Sequence, residues 1–518
     1  MRTRAKAAML AILLASPATA AEPSLLRVLP QGPLLGLDPI ATPGYATLDH
    51  AYMVYDTLFA LDAALRPQPQ MAQRHAIAGD GLTHRITLRD GLAWHDGAPV
   101  TARDCVASVR RWAARDRLGR DLLARLRSIE AEDDRTIVAA LKAPFPLAEA
   151  LARPMGTVPF MMPARVAALP PDRPTADATG SGPYRYLADK AEGAFRHVYE
   201  RFAGYRPRPE PPSLFAGGKQ ALVDRVEWLY IPGLAIATFE LYAGVVQYWR
   251  TPAAEALPRL DDNPDVTIRP NDPLGETGLL RLNHRAAPFG DRRVRQAAAL
   301  AIDQQAMVAA LAGQVSDARV CVSLLPCGLP GGPAARADPR PAEDRRAAAR
   351  RLLREAGYDG TPVVLLTAGD QPVVDALARA AAEQLRRVGF AVSVNAMLWP
   401  DLVRRRQSQA PAESGGWSAF VTRWPALDLA SPAWNEALRA DGLAAWIGWP
   451  EDDTLERLRQ AWLDAPSDEA ASAIERRAAE VVAYVPLAQF RMPIAYRHTA
   501  ITDPPAAPVM ALWGIARK

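Results

Sequence analysis

The chain has 518 residues, 49% of them hydrophobic and 23% charged, with a formal net charge of +4 at pH 7 and a sequence pI near 9.0. Arg2, Arg4 and Lys6 carry three of the positive charges, which leaves the rest of the chain near +1, so the basic pI points neither to nucleic acid nor to an anionic membrane. No internal repeat or low-complexity tract appears, and the length exceeds what one hydrophobic core normally organises, so two or three lobes are expected.

The first elements in chain order are those of an exported protein. Arg2, Arg4 and Lys6 form a positive n-region, residues 7–15 an apolar core, and Ala18-Thr19-Ala20 a small-x-small cleavage site, so residues 1–20 read as a signal peptide. The apolar core is far short of the roughly 20 residues a membrane span needs, and no Cys follows the cleavage site to carry a lipid. The expected location is the periplasm.

A strand is expected over 25–28. The segment from Gly81 to Asp104 then reads as strand, turn and helix start in quick succession. Thr83–Leu88 alternates with the period of a half-buried strand. Asp90-Gly91 and Asp96-Gly97 are tight-turn signals. Thr101 sits at an N-cap position with Asp104 three residues on, a variant capping box ahead of a helix over 105–114. Further strands are expected over 135–141, 223–231 and 279–282. An apolar helix over 294–311 and an amphipathic one over 343–355 follow, the second closed by Gly357 as a C-cap. Next come strand 363–367, helix 373–388, strand 390–397, helix 469–484 and a strand-like stretch 487–496. This rhythm predicts an α/β lobe from about 275 to 485. Proline clusters over 207–212 and 330–341 mark connections.

Three cysteines match no zinc or iron–sulfur spacing, and no metal or cofactor is expected. Cys321 and Cys327 bracket five residues and are expected to pair as a disulfide in an oxidising compartment, while Cys105 reads as a buried apolar residue. The histidines show no metal-ligand spacing, and there is no Gly-x-Ser-x-Gly, His-Glu-x-x-His, Ser–Lys or Walker motif. No enzymatic activity and no ATP hydrolysis are expected. Arg404-Arg405-Arg406 reads as a solvated helix face.

The segment 81–104 resembles the signature of family 5 bacterial extracellular solute-binding proteins, the dipeptide- and oligopeptide-binding group. So do Tyr55-Asp56-Thr57-Leu58-Phe59, Gly180-Ser181-Gly182-Pro183-Tyr184, Leu280 to Asn283, and Pro288-Phe289 with Asp291 to Ala297. One departure is Gly244-Val245-Val246-Gln247, where family members usually have Gly-Glu-Val-Asp. The resemblance implies an α/β, bilobal periplasmic-binding-protein fold with a hinge, of the type II, three-domain peptide-binding class. The implied division is a discontinuous lobe I of 21–53, 180–274 and 487–518, a small lobe of 54–179, and a lobe II of 275–486. It implies a monomer that closes around crossovers near 180–183 and 272–275, captures a solute, most readily a peptide, and delivers it to ABC permease subunits in the inner membrane. A ligand-loaded receptor or chaperone, or a binder of a sugar, glycoside or opine, is the alternative.

Binding residues are expected between 399 and 449, because five of the chain's twelve tryptophans fall between 417 and 449 and indole suits both cores and ligand clefts. By the resemblance, Trp417, Trp424 and Asp428 are the leading contacts. Asp428 suits a peptide α-amino group, since an unpaired buried ammonium is costly; it reads equally as a loop or helix-cap residue. Arg423 is placed either to fork onto a ligand carboxylate or to pair with an acidic residue of the other lobe. Tyr45, in the first loop, and Asn283, at the start of lobe II, complete the expected set.

Overall fold

The structure is a computed structural model that describes residues 23–42, 44–330 and 339–518; the expected signal peptide lies outside the described residues. Two large sheets dominate. In the first, seven strands run from edge to edge as Val266–Pro270, Pro493–Arg497, Tyr248–Trp249, Leu25–Leu29, Arg225–Leu229, Arg196–Arg201 and Tyr184–Tyr186. Leu25–Leu29 pairs in parallel with the strands on both sides of it. In the second, six strands run as Asp317–Arg319, Val485–Arg491, Glu276–Leu282, Ala419–Pro425, Val363–Ala368 and Val392–Met397. A four-stranded antiparallel sheet, Ala72–Ile77, Thr83–Leu88, Thr136–Leu141 and Leu126–Ala131 in spatial order, forms a third layer within the chain's first third.

Local chemistry accounts for these elements. Gly91 and Gly97 turn with positive φ, where glycine has no steric penalty. The Thr101 hydroxyl accepts from the Asp104 N–H while the Asp104 carboxylate accepts from the Thr101 N–H at 2.8 Å. That reciprocal cap starts the helix Ala102–Arg115 and is worth about 1 kcal/mol. The helix expected over 294–311 is instead two, Arg292–Ala301 and Gln304–Ala310. Asp303 breaks it by accepting from the Gln305 N–H at 3.2 Å, which starts a new helix at an N-cap of its own.

The strand-like stretch 487–496 is also two strands, and they belong to different sheets. Val485–Arg491 pairs with Glu276–Leu282 in the second sheet, whereas Pro493–Arg497 pairs with Val266–Pro270 in the first. The chain therefore changes sheet at Met492, not at residue 487, and beside it at Asn271–Gly275, where the Asn271 N–H donates to the Met492 carbonyl at 3.0 Å. A Cβ on Gly275 meets the Phe490 carbonyl oxygen at 2.2 Å, so this pair of crossings depends on the absence of a side chain there. The expected crossover near 180–183 packs on residues 53–55, with the Gly182 N–H donating to the Val54 carbonyl at 2.9 Å, and leads into strand Tyr184–Tyr186 of the first sheet.

Candidate functional site

A cavity of about 670 Å³ lies between residues 115–157 on one side and 399–446 on the other, with Gly44 and Tyr45 at its edge, within the range usual for small-molecule sites. One wall comes from the junction of helices Ala102–Arg115 and Arg117–Arg125. Asp116 makes that junction: its carboxylate caps the second helix by accepting from the Gly119 N–H at 3.2 Å. A Cβ on Gly119 would sit 2.4 Å from the Ala113 Cα, so glycine permits the tight turn. The turn presents Arg115, Arg117 and Arg120 to the cavity, and Arg153 joins them, its guanidinium bonded to Asp116 at 2.5 Å with both side chains 4% exposed.

The opposite wall comes from strand Ala419–Pro425, the 3-10 turns after it and helix Trp399–Arg405, and it carries Trp399, Arg406, Arg423, Trp424, Asp428, Trp434, Glu436 and Trp446. Arg281 fixes the loop that holds Trp446. Fully buried, it donates to the carbonyls of Ala437, Trp446 and Ile447 at 2.7–3.0 Å, and its guanidinium lies 4.9 Å from the Trp446 ring centroid. A Cβ on Gly448 meets Arg281 Nε at 2.7 Å, so that position too must lack a side chain. Trp446 then meets Trp424 edge to face at 4.5 Å, a favoured aromatic geometry.

Four charged groups lining the cavity, Arg115, Arg120, Arg406 and Asp428, have no ion-pair partner among the described residues, and the first two are exposed. Asp428, 9% exposed, makes no hydrogen bond or salt bridge. Burial first, and then Glu436 and Asp116, push its carboxyl up to about 7 against the pull of Arg153. Arg406 is held by rings alone, 5.5 Å from Trp399, 5.4 Å from Phe420 and 5.9 Å from Trp446, a cation–π cage. Its Nε is buried without a partner, and burial draws the guanidinium down to about 10. Tyr45 begins helix Tyr45–Val54 and lines the same cavity, with 41% of its surface exposed.

The sequence profile described as bacterial extracellular solute-binding proteins, family 5 Middle, matches residues 66–440. The chain is 34% identical over 494 residues, 93% of this chain and 91% of the relative, to a probable peptide ABC transporter periplasmic-binding protein of Sinorhizobium fredii. It is 26% identical over 420 residues, 79% of this chain and 77% of the relative, to the glutathione-binding protein GsiB of Pectobacterium atrosepticum. Among solved structures, AgaA of A. tumefaciens R10 in complex with agropinic acid has a TM-score of 0.76 at 18% identity, covering 95% of this chain and 99% of that one. The oligopeptide-binding protein AppA of Bacillus subtilis, in complex with a nonapeptide, has a TM-score of 0.74 at 19% identity, covering 96% and 100%.

This chain belongs to the family 5 bacterial extracellular solute-binding proteins. It has their mixed α/β periplasmic-binding-protein fold and is the substrate-binding component of an ABC importer, in a family that binds solutes and catalyses no reaction. No helix among the described residues is long and apolar enough to cross a membrane.

Within this solute-binding protein the expected contacts divide. Tyr45, Arg423, Trp424 and Asp428 all line the cavity. Trp417 does not: it is fully buried in the core of the second sheet, its indole N–H donating to the Ser408 carbonyl at 3.1 Å. Asn283 is 1% exposed and shapes its own turn, donating to the Trp417 carbonyl and accepting from the Arg285 N–H. It touches a separate cavity of about 310 Å³. Arg423 pairs with Glu276 on the neighbouring strand of its own sheet, not with an acidic residue of the other lobe. Cys321 and Cys327 are joined as a disulfide, and Cys105 is a buried free thiol.

The arginine triplet is not a uniformly solvated face. Arg404 is, with its side chain 79% exposed and paired with Asp401, but Arg405 donates to the Gly416 carbonyl and Arg406 turns into the cavity. Sequence reasoning missed Arg406, Trp399 and the whole wall from Arg115 to Arg153. The only signal for Arg406 was its place seven residues after Trp399, two helical turns along one face.

Proposed function

We propose that the chain is exported to the periplasm and there, as a monomer, captures a small peptide between its lobes and delivers it to the permease subunits of its importer in the inner membrane. The observation that carries this reading is the pairing, in one cavity, of a carboxylate, Asp428, and a guanidinium, Arg406, that have no ion-pair partner among the described residues. A buried charge with no partner is costly, so each group is stabilised when a ligand brings the opposite charge. An α-amino group suits the first and a carboxylate the second, with Trp424 and Trp446 against the apolar part between them. The name of the Sinorhizobium fredii relative supports a peptide.

In this reading the first and second sheets belong to the two lobes that close, the four-stranded layer to the smaller third lobe, and the hinge is the strand pair at Asn271–Gly275 and Met492. Ligand stabilises the closed form by binding it more tightly than the open one. A non-peptide solute such as an opine or a sugar derivative is the second reading, favoured by the four indoles of Trp399, Trp424, Trp434 and Trp446 around the cavity.

Native mass spectrometry of the protein purified from an exporting host, compared with a denatured sample, tests both. A non-covalent mass excess whose fragments are amino acids supports the peptide reading. Fragments of a sugar or an opine support the second. A clean apo mass after exposure to host periplasm, which is rich in peptides, counts against the first.

A further inference from the structure

The charges that line the cavity do not balance. Arg153 is neutralised by Asp116 and Arg423 by Glu276. Arg117 and Arg439 share Glu436, and Arg439 also holds Asp121 at 2.5 Å. Once these pairs are set aside, Arg115, Arg120 and Arg406 remain among the lining residues as cations without an ion-pair partner, against Asp428 as the one carboxylate without a partner. Arg406 is the most telling of them. The Arg406 guanidinium, held by three rings, makes no hydrogen bond or ion pair within the described residues, and the flat fork of such a group matches a carboxylate in two parallel hydrogen bonds. Arg115 and Arg120 sit on the facing wall, at the exposed end of the helix junction, where they attract an anion toward the cavity and contact any acidic group that extends from it.

We infer that the ligand is acidic: it carries more carboxylates than amines, with one carboxylate seated on Arg406 and a further acidic group facing Arg115 and Arg120. This deepens the reading of a captured small solute and rests on it, but it holds for a peptide and for a non-peptide alike. An acidic peptide and an N-carboxyalkyl amino acid present the same chemistry to these three arginines.

Calorimetric titration of the purified protein with matched probes tests the inference. The probes are Ala-Ala-Ala, Ala-Glu-Glu, Ala-Lys-Lys and N-(1-carboxyethyl)glutamate. At least one acidic probe is expected to bind tenfold or more tighter than Ala-Ala-Ala, and Ala-Lys-Lys is expected not to bind. Arg406→Gln should abolish that preference, Arg406→Lys should keep part of it, and Arg115→Gln with Arg120→Gln should reduce it separately. Arg115→Gln with Arg120→Gln should leave the melting temperature of the ligand-free protein unchanged, because neither residue makes an ion pair, and Arg406→Lys, which keeps a cation among the three rings, should leave it near the wild type; that readout separates a ligand contact from a structural arginine. Equal or tighter binding of Ala-Ala-Ala or Ala-Lys-Lys overturns the acidic inference while leaving the peptide reading intact. Binding of the carboxyethyl compound with no binding of any peptide overturns the peptide reading and upholds the acidic one. No binding of either acidic probe overturns the inference.

Discussion

Trp424 and Trp446 meet edge to face with ring centroids 4.5 Å apart, and this half-buried pair lines the cavity while its other side packs on the hydrophobic core. Trp417, seven residues earlier, is wholly enclosed, its ring 5.2 Å from Phe420 and 5.7 Å from Trp449. The two tryptophans should therefore respond oppositely to truncation. Trp424→Ala is expected to weaken ligand binding tenfold or more with little change in the melting temperature of the ligand-free protein. Trp417→Ala should cost about 3–5 kcal/mol of stability, the usual penalty for emptying a buried indole site. Thermal denaturation and titration of both variants decide the assignment. A Trp424→Ala protein that melts as early as Trp417→Ala would place Trp424 in the core.

Asp428 gives a pH dependence with a definite sign. Its carboxyl lies near 7 in the folded chain against an ordinary value of 3.8, so between those values the native state holds a proton that the unfolded chain has released. The contribution of this group to stability is complete below about pH 4 and is lost as pH rises through 7. Asp428→Asn, which cannot ionise, should thus gain on the wild type in melting temperature from pH 5 to pH 8. Affinity for an amine-bearing ligand should rise over the same interval in the wild type and stay flat in Asp428→Asn. Parallel melting curves for the two proteins across this range would contradict the environment described for Asp428.

The local grammar of the fold was readable because it depends on neighbours in sequence. The Thr101–Asp104 cap, the turn glycines at 91 and 97 and the Gly357 helix end are each decided within four residues. What the sequence did not disclose depends on contacts between distant segments. The split of 487–496 between two sheets carries no signal, since Val485–Arg491 and Pro493–Arg497 are both apolar strands separated by Met492 alone. Arg406 looked like its neighbours Arg404 and Arg405 because only the rings of Trp399, Phe420 and Trp446, brought together by folding, distinguish it. Trp417 and Trp424 share composition and neighbourhood in sequence, and only packing separates core from cavity.

The cysteines permit a count. Of the three, Cys321 and Cys327 are bonded and Cys105 is fully buried, where burial pushes its thiol up. The folded, oxidised protein is expected to show no reactive thiol, one after denaturation, and three after denaturation with reductant. Replacing both Cys321 and Cys327 by Ser should cost about 2 kcal/mol, as expected for releasing so short a loop. Reaction with a thiol reagent under the three conditions checks the pairing. Three thiols without reductant would exclude it.

Three ion pairs join the helices after strand Thr83–Leu88 to the segment 436–464. Arg439, its side chain 5% exposed, bonds Asp121 at 2.5 Å, Arg117 reaches Glu436 at 3.4 Å and Arg125 reaches Asp464 at 3.0 Å. In each pair one residue belongs to the helices Ala102–Arg115 and Arg117–Arg125 or their junction, and the other to the segment 436–464 beyond the second sheet's strands. Among the described residues the chain passes between the two large sheets at Asn271–Gly275 and Met492, so if the proposed hinge lies there its rotation is expected to separate all three pairs at once. Asp121→Asn weakens the most buried of them while leaving Arg439 near Glu436. This variant should shift the ligand-free protein toward the open form, seen as a larger radius of gyration in small-angle X-ray scattering. It should also lower ligand affinity several-fold, because part of the binding energy is then spent on closure. Saturating ligand should restore the compact radius. An unchanged radius together with unchanged affinity would mean that these pairs do not govern closure and that the hinge strands alone set the balance.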